Sequence, residues 1–63
     1  MHEIRFLQRS GTTIQDDVAT AIEFLEREGI AAGQATHPDV ILVADTLWHR
    51  AFQLLVAENF DVF

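Results

Sequence analysis

Residues 39 to 59, DVILVADTLWHRAFQLLVAEN, place the strongest limit on what this chain can become. Asp39 to Ala44 is a short unbroken apolar run rich in β-branched side chains. A strand covered on both faces has that composition, whereas a half-exposed strand alternates apolar and polar residues. The run passes directly into helical periodicity. Asp45 is placed to cap the free N–H groups of the first turn, and Asn59 to end the helix in a left-handed conformation. Over Thr46 to Glu58, Leu47, Ala51, Leu54 and Leu55 make one apolar stripe, and Trp48, Phe52 and Val56 make a second beside it. Only His49, Arg50 and Gln53 hold a polar face. A helix apolar on most sides needs more than one packing partner, so the second stripe is expected to meet something beyond the chain's own sheet.

Size sharpens that expectation. Sixty-three residues make a single domain, residues 1–63. A lone core of this size seldom supplies more than ~3 to 5 kcal/mol, so stapling or association is expected. Cysteine is absent, which removes disulfides, thiolate metal sites and a cysteine nucleophile. His2, His37 and His49 lack a metal-ligand spacing, so neither a metal nor another cofactor is expected. What remains is a homo-oligomer or a complex with another protein, and a hydrophobic fraction of 49% agrees with it.

Net charge is −6, with four arginines and no lysine, which disfavours direct nucleic-acid binding. The acidic residues serve solubility, or they imitate a phosphate backbone. The second use makes an acidic nucleic-acid-mimic inhibitor the alternative reading, with Asp16, Asp17, Glu23, Glu26 and Glu28 as its charges. The opening MHEIRF lacks the basic start and long apolar core of a signal peptide, and no apolar run nears the ~18 to 20 residues of a spanning helix. A cytoplasmic protein without a membrane partner is expected.

In chain order, His2 to Gln8 alternates and reads as a partly exposed edge strand. Arg9 to Thr13 is a turn. Thr12 and Gln15 match a capping box, with Asp16 and Asp17 complementing the helix dipole. Thr13 to Glu28 is a one-sided amphipathic helix, with Ile14, Val18, Ala21, Ile22 and Leu25 inward, stopped at Gly29. Residues 30 to 38 form a connection, with Ile30 folding back onto the helix end. Phe60 to Phe63 is a short last strand with Phe60 and Val62 on one face and Phe63 on the other. The order β-α-β-α-β predicts a small α/β unit with a mostly parallel three-stranded sheet, order 1-2-3, and both helices on one face. The bare face would then need a second copy or another protein to cover it. The alternative is an N-terminal strand plus two helices, with residues 37–59 as one long helix started by Thr36 and Pro38.

No pattern names an activity. Arg9, Ser10, Gly11 and Thr12 could hold an anion on free N–H groups, but the loop lacks the glycine spacing and lysine of a P-loop. Ser10, Asp45 and His49 would share one sheet edge without forming a recognisable nucleophile motif. The segment ILVADTLWHRAFQLLVAENFDVF is similar to the strand-helix-strand unit that opens many Rossmann-like domains, including the 2-hydroxyacid dehydrogenases. That resemblance implies parallel topology and no activity, since the glycine-rich dinucleotide loop is missing. The expected function is therefore a non-enzymatic interaction, assembly or regulatory module. Its candidate interface is Trp48, Phe52, Val56, Leu55, Phe60 and Phe63. A small enzyme or anion-binding domain at the strand carboxyl ends is a third reading.

Overall fold

The computed structural model describes residues 1–63. Its elements are β1 (His2–Arg5), α1 (Ile14–Arg27), β2 (Ala32–Gln34), β3 (Val40–Val43), a 3-10 turn (Asp45–Leu47) and α2 (Trp48–Ala57). The sheet is antiparallel throughout, in the order β1-β3-β2. This overturns the expected parallel 1-2-3 sheet, and the strand at Val40–Val43 overturns the long-helix alternative for residues 37–59.

The cause is β2. Its sequence, Ala-Gly-Gln, has little intrinsic strand preference, and only pairing with β3 makes it a strand. One added strand and a tight turn reverse the chain before β3, so β3 runs against β1 instead of along it. The terminal segment then returns alongside β1. Arg5 and Phe63 exchange backbone hydrogen bonds at 3.1 and 2.9 Å, and the Leu7 N–H donates to the Asp61 carbonyl at 2.8 Å. Val62 bridges Phe6, so the last strand is present as a single bridge. β1 is therefore flanked on both sides over its second half. Each helix thus connects two segments that run in the same direction with another strand between them.

Opposed residues of an antiparallel pair share a face. The register therefore puts Ile4, Phe6, Ile41 and Val43 on one face, where they join Val18, Ala21 and Leu25 of α1 and Ala51 and Leu55 of α2 in the buried core. Both helices lie on that side. The other face carries Glu3, Arg5 and Leu7 of β1 and its extension, Val40 and Leu42 of β3, Gly33 of β2, and Asp61 and Phe63. Val40 is buried there, while the rest of the face is exposed or partly covered, which an antiparallel sheet tolerates and a parallel one would not.

Both helices end in the same way. After Glu28, Gly29 has φ 82°, its N–H reaches the Glu26 carbonyl, and the Ile30 N–H reaches that of Leu25. After Glu58, Asn59 has φ 66°, its N–H reaches Val56, and the Phe60 N–H reaches Leu55. These are paired Schellman motifs, each followed by an apolar residue that turns back onto the helix end. Asn59→Gly is expected to raise stability by roughly 0.5 to 1 kcal/mol, because glycine adopts this conformation without a side-chain clash. Asn59→Ala is expected to lower it by about 1 kcal/mol. Thermal melting of the two variants beside the parent checks both signs.

The helix starts differ from expectation. Thr13, not Thr12, caps α1: its hydroxyl accepts the Asp16 N–H at 3.1 Å. Asp45 makes no capping bond. The chain turns instead through the 3-10 segment, and the Asp45 carboxylate lies 3.4 Å from the Met1 amino group, both well exposed.

Candidate functional site

Antiparallel pairing separates groups that a parallel sheet would have gathered. Arg5 lies opposite Val40 and His2 opposite Val43, so the chain leaves β1 and β3 at opposite ends of the sheet. Ser10 follows one end, whereas Asp45 and His49 follow the other. The nucleophile-base constellation is therefore absent. No group of three or more His, Cys, Asp or Glu side chains converges. The largest hollows are two shallow grooves. One, of about 310 Å³, is lined by Thr20, Glu23, Phe24, Arg27, Glu58 and Phe60. The other, of about 390 Å³, lies between Gln8, the start of α1, and Pro38 and Asp39. Neither aligns an acid, a base and a nucleophile.

The loop expected to hold an anion holds one of the chain's own. Arg9 donates from Nε and Nη2 to the two Asp17 oxygens at 3.0 and 2.7 Å, and from Nη1 to the Asn59 carbonyl at 2.9 Å. The Thr12 hydroxyl donates to the same carboxylate at 3.1 Å. The guanidinium lies 5.2 Å from the centre of the Phe60 ring, which in turn meets Phe6 edge-on. Arg9 thus ties the first turn of α1 to the end of α2, and it is not free to receive an external anion. Ser10 and Gly11 are exposed and take no part in these hydrogen bonds. Asp17 also leaves the set of surface acids, since it is the one buried charged residue. The distinction between Asp16 and Asp17 was readable from the helix period: Asp17 stands one turn before the inward Ala21.

The Arg9 guanidinium beside it, opposed by burial and aided by Thr12, holds the Asp17 carboxyl below the usual carboxylate range. A group depressed in the folded state adds stability that is fully present above its unfolded value, about 4, and lost as pH falls through its folded value. Melting midpoints measured through the acid range should therefore fall below about pH 4 in the parent chain. In Asp17→Asn that part of the acid dependence should be missing.

The expected interface residues fall into three groups. Leu55 is fully buried and belongs to the core, so it cannot serve as a contact surface. Trp48, Phe52 and Phe60 are half-buried and pack onto their own core. The Trp48 ring lies 4.4 Å from that of His2 and 5.9 Å from that of Phe52. Val56 and Phe63 are open, at 51% and 61% exposure. The chain's own β1 thus takes up much of the second helix stripe. The apolar excess appears instead on the helix-free sheet face, where Leu7, 47% exposed, lies diagonally beside Phe63, with Glu3 and Arg5 between that pair and the partly covered Leu42. Sequence alternation marked Leu7 as facing away from Phe6, but only the sheet order shows what lies beside it. The chain matches no protein-family model, no curated protein and no solved structure. No helix is long and apolar enough to cross a membrane.

Proposed function

We propose that this chain is a non-catalytic association module that joins another protein surface, a copy of itself included, through the sheet face opposite its helices. The observation that carries the reading is the exposure of Leu7 and Phe63 side by side on a face with no helix over it. Exposed apolar side chains with charges beside them, here Arg5 and Asp61, are what a small interface can use. Burial of that area would drive the contact. The acidic-mimic reading has less behind it, because the most sheltered of its five carboxylates, Asp17, is already paired with Arg9.

Sedimentation equilibrium from micromolar to millimolar concentration tests the proposal. The parent is expected to associate, and Leu7→Glu with Phe63→Glu is expected to remain monomeric with its melting midpoint little changed. Association that persists in the double variant would place the contact elsewhere and end this reading.

A further inference from the structure

On the reading that the helix-free face is the contact surface, we infer that its occupant is a second copy of this chain, packed face to face with its β1 running antiparallel over the first β1. Two observations select that occupant. The first is the distribution of charge. Of ten acidic and four basic side chains, this face holds only Glu3, Asp61 and Arg5, so it carries −1 of the total −6. The outer side of α1 alone presents Asp16, Glu23, Glu26 and Arg27, all exposed. Two copies therefore repel through their helices and approach at least cost through their sheets.

The second observation is that Glu3 and Arg5 are exposed neighbours on the same face of one strand, and neither makes an ion pair within its own chain. A closed dimer uses the same patch twice. If its two-fold axis lies in the contact plane, across β1 at Ile4, Glu3 of each copy stands over Arg5 of the other. An axis along β1 would instead oppose Glu3 to Glu3 and Arg5 to Arg5, so charge chooses between the two packings. The face is four short segments wide, small against the ~800 Å² per partner of a standard interface, so a weak dimer is expected.

Charge exchange tests the arrangement. Glu3→Arg and Arg5→Glu are each expected to weaken self-association roughly tenfold, because each sets two like-charged pairs face to face. Mixing the two variants in equal amounts is expected to restore the dimer, since every facing pair in the mixed species is again opposite in sign. That recovery also shows that both variants fold. A parent chain that stays monomeric to millimolar concentration overturns the inference and leaves the face to a different protein. A dimer indifferent to both the charge variants and the Leu7→Glu, Phe63→Glu variant overturns the sheet-face reading as well. A dimer broken by the latter but blind to charge overturns only the antiparallel packing.

Discussion

Leu55→Ala is expected to leave the chain largely unfolded at room temperature, while Val56→Ala one residue along changes stability by less than about 0.5 kcal/mol. Leu55 has no exposed surface and sits in the cluster joining α2 to Ile4, Phe6 and Ile41. Removing a leucine side chain from such a site costs about 2 to 5 kcal/mol in transfer and cavity terms. A domain of this size has only ~3 to 5 kcal/mol to lose. The contrast with Val56, half exposed on the same helix, makes the pair informative. Far-ultraviolet circular dichroism at increasing urea would show Leu55→Ala without a folded baseline and Val56→Ala superposed on the parent. Equal effects at the two positions would mean that α2 is rotated from the orientation described.

The second large effect is at the Arg9–Asp17 pair, and it is expected to be unequal. With Arg9→Ala, the Asp17 carboxylate, 5% exposed in the parent, keeps only the Thr12 hydroxyl against it. An unpaired buried charge is among the costlier defects a core can carry. With Asp17→Ala, the guanidinium, 30% exposed, can turn to water and keep part of its contact with Phe60. The loss there is that of the hydrogen bonds to a charged acceptor. Arg9→Ala should therefore lower the melting midpoint more than Asp17→Ala. The double variant should lie closer to Asp17→Ala than the sum of the two implies, because residues in one network do not contribute independently. Arg9→Ala as the milder change would show that the carboxylate reaches solvent.

Much of the local structure was legible in the residues. The amphipathic period of Ile14, Val18, Ala21 and Leu25 located α1, and Gly29 and Asn59 marked both helix ends through their tolerance of positive φ. The unbroken apolar run located β3 at the centre of the sheet. The candidate site was legible only in part. Alternation separates Phe63 from Val62, but helical spacing shows only that Leu55 shares a face with its neighbours and not that this face meets the core. Arg9 looked like a free cation for the same reason: its partner lies eight residues away and becomes its neighbour only when α1 docks.

The amino-acid order alone determined where α1 and β3 lie and where both helices end, because turn residues and apolar periods act within a few residues. Strand direction, sheet order and the identity of the open face were decided only by the tertiary structure. Ala32 to Gln34 has no local reason to be a strand, and it becomes one by completing hydrogen bonds with β3. That one long-range pairing reverses the chain, turns the sheet antiparallel, and leaves Glu3, Arg5, Leu7 and Phe63 together on the side away from the helices.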